Sequence, residues 1–223
     1  LTRVNNLISI SKDREITLEA NPGTFESQKF TDFKLAGVNR LSIGVQSFDN
    51  HSLKLLGRIH DSNQACTAIR KAKELDFNLN IDLMHSLPEQ TQDKALSDLQ
   101  TAVSFEPNHL SWYQLTIEAN TAFAKNTPVL PEDDVLDNIF YMGLDYLQDN
   151  NFEQYEISAF VNNKNLNQKS AHNINYWRFG DYLGIGAGAH GKFNLIDNKS
   201  GNLNVARQWK QKSPVRYLDQ TTP

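Results

Sequence analysis

The sequence predicts an α/β protein: a partial barrel of parallel strands and crossover helices, followed by a C-terminal segment organised differently. Three observations predict it. Four short runs read as buried parallel strands, each followed by turn residues and then a helical pattern. The ends of these runs recur at intervals of roughly 30 residues, the length of one strand, helix and return. Beyond residue 160 that rhythm stops, and an aromatic, glycine-rich stretch replaces it. We therefore place a β/α domain at 1–160 and a cap region at 161–223.

The four predicted strands are EITLE (15–19), RLSIGVQ (40–46), LNIDLM (79–84) and HLSWYQLT (109–116). Between them, a helix beginning near Thr24 stops at Gly37, a residue suited to a left-handed helix end, and a second covers 62–75. The third helix, 91–105, carries Ala95, Leu96, Leu99, Ala102 and Val103 on one stripe, with Thr91 as its N-cap. After Pro131 a longer helix bears Val135, Leu136, Ile139, Phe140, Leu144 and Leu147, and Asp149, Asn150 and Asn151 end it. One further strand is expected at 154–160. The polar run VNNKNLNQK then reads as a surface loop, and AHNINYWRFGDYLGIGAGAHGKF as a cap or edge segment.

Composition excludes several classes. With 22 Lys+Arg against 26 Asp+Glu the chain carries −4, so no overall basic field attracts nucleic acid. No run approaches the roughly 20 apolar residues needed to span a bilayer, and the N-terminus is too polar for a secretion signal. A soluble, cytoplasmic protein is expected. Cys66 stands alone, which rules out an internal disulfide framework and any three-cysteine metal site within this chain. We expect it as a buried small side chain on a helix. The absence of an initiating Met suggests a piece of a longer protein.

Side chains alternate along a strand, so each predicted strand has two faces. Ile16 and Leu18 oppose Thr17 and Glu19; Leu41, Ile43 and Val45 oppose Ser42, Gly44 and Gln46; Ile81 and Leu83 oppose Asn80 and Asp82. One face is apolar for the helices. The other is small or polar and ends in a carboxylate or carboxamide at the strand tip, where β/α folds bind their ligands. A closed barrel fills its interior with branched apolar side chains, so this pattern implies a wider or open lumen lined for a polar ligand. The alternative is that these groups bond one another or trapped water.

The strand ends TLEANPGT, GVNRLSIGVQSF, LGRIH, NIDLMHSLPEQT and HLSWYQLTIE resemble consecutive motifs of the oxygen-independent coproporphyrinogen oxidase family of radical S-adenosylmethionine (SAM) proteins. The resemblance runs from about Glu15 to about Lys192. It implies a partial (β/α)6 barrel of which the later four strands are present. It also implies a [4Fe-4S] cluster on a three-cysteine loop and a glycine-rich SAM motif, neither of which this sequence contains. Carried over by motif, the SAM contacts are Glu19, Gln46, Arg58, Asp82 and Thr116. The chemistry suits the ligand: carboxylates accept from ribose hydroxyls or offset the sulfonium charge, Gln46 donates and accepts, and Arg58 pairs with a carboxylate. Taken singly, each has a plainer use as a helix cap or a surface residue.

HNINYW, His172 to Trp177, resembles the HNxxYW signature of the family's haem-chaperone branch. That branch is implied to bind haem and to pass it to haem-accepting proteins; the alternative is anaerobic oxidative decarboxylation of coproporphyrinogen III, against which HNINYW argues. His172 is a candidate to ligate or hydrogen-bond a porphyrin, and Tyr176 and Trp177 offer flat apolar surface with polar tips. The plainer reading is that the segment packs a cap onto the barrel mouth. His190 is a secondary candidate for contact with SAM or substrate. A cofactor-free β/α module for a sugar or nucleotide explains the polar faces but not the ordered motifs.

Other signals are weaker. Gly184, Gly186 and Gly188 lack the strand and spacing of a dinucleotide loop. Met84, His85 and Pro88 are expected to shape a loop, not to hold metal. Arg207, Lys210, Lys212 and Arg216 form a basic patch, a candidate for peripheral contact with a membrane or a haem propionate, with a solvated face as the default. With one cysteine, the chain is expected to assemble no cluster and to have no radical activity. Iron and sulfide analysis after anaerobic reconstitution checks this, and a stoichiometric four-iron centre overturns it.

Overall fold

The computed structural model describes residues 2–7, 11, 13–24, 27–196 and 201–221. They divide into two compact units, Leu1–Lys169 and Ser170–Pro223.

The first unit begins with α1 (Thr2–Leu7), β1 (Thr17–Ala20), a 3-10 turn at Pro22–Thr24 and α2 (Ser27–Leu35). Next come β2 (Arg40–Gln46), α3 (Asn50–Leu55), α4 (Ser62–Glu74), β3 (Asn78–His85) and α5 (Gln92–Ser104). It closes with β4 (His109–Gln114), α6 (Ala122–Lys125), α7 (Asp133–Asp149), β5 (Phe152–Glu156), β6 (Ala159–Asn162) and a 3-10 turn at Asn163–Gln168. The sheet order is β1-β2-β3-β4-β6-β5. Its first four strands are parallel, as expected of the later strands of a partial barrel.

Local chemistry sets the helix starts. Asp61 accepts from the Gln64 N–H at 2.8 Å while the Gln64 side chain accepts from the Asp61 N–H at 3.0 Å, a reciprocal cap on α4. Thr91 caps α5 as its sequence position implies. Leu41, Ile43, Leu79, Ile81, Leu83, Leu110 and Trp112 then form the buried outer face of the sheet. The helices answer with small residues: Ala65, Ala68 and Ala72 on α4, and Ala95 and Ala102 on α5, are all buried. Small side chains there let the helix axes come close to the sheet. Helix α7 crosses the Trp112 indole at Gly143, where a Cβ would sit 1.9 Å from Trp112 Cη2.

The structure corrects the expected strand at 154–160. The chain folds there into a hairpin, β5 and β6, and β6 runs antiparallel to β4 with His109 opposite Val161 and Leu110 opposite Phe160. A register shift between Gln154 and Glu156 breaks the two-residue period at this point. Gln154 Nε2 donates to the Ile157 carbonyl at 3.0 Å, and the Ile157 N–H to Glu156 Oε1 at 2.8 Å, which together hold the turn. The sheet continues to Asn162, past the boundary expected at residue 160, and the polar run after it forms a 3-10 turn, not an open loop. Cys66 is partly exposed on α4 and not buried.

The second unit holds α8 (Ala171–Trp177), the antiparallel hairpin β7 (His190–Ile196) and β8 (Leu203–Trp209), and α9 (Pro214–Thr221). Lys192 ties it together: its buried ammonium donates to the carbonyls of Phe179 at 2.7 Å and Gly180 at 3.2 Å, and lies 3.9 Å from the Phe179 ring centroid. Among the described residues no helix is long and apolar enough to cross a membrane.

Two stability predictions follow from the packing. Gly143→Ala forces α7 off a fully buried indole and is expected to cost about 3 kcal/mol in a urea titration. The second concerns His85, whose ring lies 4.2 Å from the Trp112 ring centroid and whose pKa burial lowers to about 4. A depressed imidazole contributes stability above its ordinary value of 6.5 and loses it as the pH falls toward 4. That shift is worth about 3 kcal/mol at most. His60, depressed by burial, acts in the same sense, whereas Asp98, raised from 3.8 to about 6, opposes it as the pH falls through that range. Unfolding midpoints at pH 7 and pH 4.5 are expected to fall less for His85→Gln than for the native sequence.

Candidate functional site

The inner face of the parallel strands carries the candidate site, and register fixes its layers. Glu19, Ser42, Asn80 and His109 lie across one row; Gly44, Asp82 and Ser111 form the next; Met84 and Tyr113 the one above. Strand pleating sends all of these to the face opposite the apolar core.

The lower layers satisfy themselves. Asn80 Nδ2 lies 2.7 Å from Ser42 Oγ, 2.7 Å from Asp82 Oδ1 and 3.0 Å from Ser111 Oγ. Ser42 Oγ donates to Asp82 Oδ2 at 2.8 Å. Asn80 Oδ1, able only to accept, lies 2.6 Å from His109 Nδ1, which therefore carries the proton and leaves Nε2 to accept from Tyr155 Oη at 2.5 Å. Burial raises the Asp82 pKa, and the bonds from Ser42, Ser111 and Asn80 and the charge of Arg40 oppose it. Arg40, buried, is pulled below its ordinary value by desolvation, with Glu15 the largest opposing charge. The plainer alternative thus holds for this floor, whose polar groups bond one another.

Above the floor the groups converge without closing on themselves. The β2–β3 register shifts between Gly44 and Gln46, and Gln46 takes φ of +71°. Tyr113 Oη donates to Gln46 Oε1 at 2.6 Å. A Cβ built on Gly44 would meet Gln46 Nε2 at 2.9 Å, Arg58 Nη2 at 3.7 Å and the Ala20 carbonyl at 3.8 Å. Two cationic or amide donors and a carbonyl acceptor from three chain segments therefore surround one bare Cα. Burial raises the Tyr113 pKa and the Asp82 charge adds to it, whereas Arg58 opposes, so both charges act on this phenol.

Of the predicted contacts, Glu19, Gln46, Arg58 and Asp82 fall on or above this face. Glu19 is exposed, opposite Ser42 on the outermost described strand. Thr116 lies two residues beyond β4, exposed, on the wall of a cavity of about 350 Å³ with His85, Trp112 and Phe140. Tyr113 lines that cavity as well, so Thr116 borders the cluster without joining its hydrogen bonds. Sequence reasoning missed His109, Ser111 and Tyr113. Extending the two-residue alternation to HLSWYQLT would have found them.

In the second unit, His172, Tyr176 and Trp177 share the short helix α8. His172 Nδ1 lies 3.2 Å from Ser170 Oγ, and Tyr176 packs edge-on to Tyr182 at 4.7 Å. About half of the Tyr176 and Trp177 surfaces is exposed. His190 begins β7 opposite Trp209, and Gly184 packs so tightly on its backbone that a Cβ would lie 2.1 Å from the His190 carbonyl.

Above Gly44 a carboxamide, a guanidinium and a carbonyl approach one another, donors and an acceptor of the kind a zwitterionic ligand such as SAM requires. The chain does not fit an iron–sulfur cluster: it has one cysteine, and among the described residues no group of three His, Cys, Asp or Glu could hold a metal.

The family model of the Radical SAM superfamily matches residues 2–102. The chain is 47% identical over 220 residues to the haem chaperone HemW of Escherichia coli K12, covering 98% of this chain and 57% of that protein. It is 45% identical over 219 residues to the haem chaperone HemW of Haemophilus influenzae, covering 98% and 55%. Among solved structures, that of the radical SAM enzyme coproporphyrinogen III oxidase (HemN) from Escherichia coli matches with a TM-score of 0.77 at 20% identity. It covers 98% of this chain and 51% of that one, a likeness of fold. The chain therefore spans just over half the length of the curated relatives it matches. Strand order, the polar inner face and these relatives agree: the chain carries a Radical SAM superfamily domain over residues 2–102 and is homologous to the HemW haem chaperones along nearly its whole length.

Proposed function

We propose that this chain is the later part of the SAM-binding barrel of a haem chaperone, which binds haem and passes it to haem-accepting proteins in the cytoplasm. The observation that carries the reading is the 47% identity to a haem chaperone over 98% of the chain, HNINYW included. In this reading SAM supplies a cationic sulfonium and an adenosyl group. Arg58 pairs with the ligand's carboxylate. Gln46, held at one end by Tyr113, keeps its Nε2 free to donate. Asp82 and Glu19 accept from ribose hydroxyls or face the sulfonium. The cluster's ligands belong to sequence other than this chain. His172, with Tyr176 and Trp177 beside it, meets the haem, and His190 is a further candidate haem contact. The basic patch at Arg207, Lys210, Lys212 and Arg216 is a further contact for haem propionates.

Two measurements on the full-length protein test this. Haemin titration followed by visible absorbance is expected to saturate, while coproporphyrinogen III is not consumed; turnover of the porphyrinogen with no response to haemin reverses the assignment. Arg58→Ala is expected to weaken SAM binding ten- to a hundredfold, about 1.5–3 kcal/mol for a charge-assisted bond. An unchanged dissociation constant removes Arg58 from the site.

A further inference from the structure

Gln46 is held in a conformation that a non-glycine residue rarely adopts, with φ of +71°. Such a residue persists only where its neighbours over-determine it. Two anchors flank it. On the downstream side, Ser47 Oγ donates to Asp98 Oδ2 at 2.7 Å and the Phe48 N–H donates to Asp98 Oδ1 at 2.7 Å, so both carboxylate oxygens grip the turn. The Asp49 N–H then donates to Ser47 Oγ at 3.0 Å, and Asp49 caps α3. On the upstream side, His60 Nε2 donates to the Val45 carbonyl at 3.0 Å.

The same His60 ends the segment that carries Arg58. Ile59 and His60 press on the turn after β1: a Cβ on Gly23 would lie 2.7 Å from Ile59 Cγ1 and 3.3 Å from His60 Cβ. Asp98, Ser47 and His60 are all at least 96% buried. A carboxylate taken out of water in this way is costly, and an apolar contact would hold α5 to the loop at lower cost. A carboxylate, with one oxygen for each donor, satisfies the Ser47 hydroxyl and the Phe48 N–H at once.

We propose that Asp98 and His60 are positioning residues, a clamp that fixes the β2 turn so that Gln46 and Arg58 meet above Gly44. This rests on the reading of Gln46 and Arg58 as SAM contacts. Asp98 acts from α5 through Ser47 and Phe48, and His60 acts through the Val45 carbonyl; neither touches the ligand.

The test is the SAM dissociation constant of the cluster-loaded, full-length protein by equilibrium dialysis. Asp98→Ala is expected to weaken SAM about tenfold and Ser47→Ala about threefold, each with unchanged iron content. Asp98→Asn, which keeps an acceptor for the Phe48 N–H but not for both donors, falls between the native protein and Asp98→Ala. Gln46→Ala loses most of its own effect in the Asp98→Ala background, because the amide is no longer aimed. A purely structural Asp98 gives independent, additive penalties instead, which overturns the proposal. So does full SAM affinity in Asp98→Ala, Ser47→Ala and His60→Ala while Gln46→Ala and Arg58→Ala weaken it. If those last two also bind normally, the ligand-site reading itself fails, and the clamp with it. Ser47→Ala deletes one hydroxyl and keeps the test open if Asp98→Ala does not fold.

Discussion

The carboxamide of Asn80 joins three neighbouring strands from inside the sheet. Its nitrogen reaches Ser42 on β2, Asp82 on its own strand and Ser111 on β4, while its oxygen accepts from the His109 Nδ1–H. Without it, four buried or partly buried polar groups lose a partner at once, each at a cost of about 1–3 kcal/mol. The floor is therefore an all-or-nothing network, satisfied only when strand register is correct. Everything above it inherits that register: Gly44 stands beside Asp82, Tyr113 beside Met84, and the Gln46 amide within reach of the Tyr113 hydroxyl.

How far the sequence revealed this depends on which periodicity was intact. The strand RLSIGVQ was legible to the residue, because apolar and small residues alternate strictly along it. Thr91 and the stripe from Ala95 to Val103 gave α5 with its cap. The hairpin at Phe152–Asn162 was not legible, since its bulge breaks the period and its turn lacks glycine or proline. Among the site residues, Glu19, Gln46 and Asp82 follow from alternation to the strand tip. Arg58 comes from a loop with no period at all, and only the ordered motifs pointed to it. Asp98 was invisible for a related reason: on a helix surface an aspartate reads as solvated, and its burial depends on a loop some fifty positions earlier in the chain.

The second unit follows other rules. A lysine placed under an aromatic ring and bonded to two carbonyls organises the turn after HNINYW, and nothing in a charge count distinguishes Lys192 from its solvated neighbours. The glycine run at 184–188 has a backbone explanation: Gly186 and Gly188 have φ of +107° and +74°, and Gly184 touches the His190 carbonyl. That frees the segment from any phosphate-binding reading. It leaves Tyr176 and Trp177 on a short helix whose end is fixed at Asn175, which donates to the Asp181 carbonyl at 3.0 Å and accepts from the Gly180 N–H at 2.7 Å.

The bare Cα of Gly44 carries a consequence for engineering. A single methyl there would crowd the Gln46 amide at 2.9 Å and touch the Arg58 guanidinium at 3.7 Å, so in the proposed SAM site this position limits how large a group can rest between them. Enlarging residue 44 while trimming the matching part of a synthetic ligand would create an orthogonal pair of the bump-and-hole kind. One protein among many superfamily members in a cell could then be addressed by a compound that the others ignore.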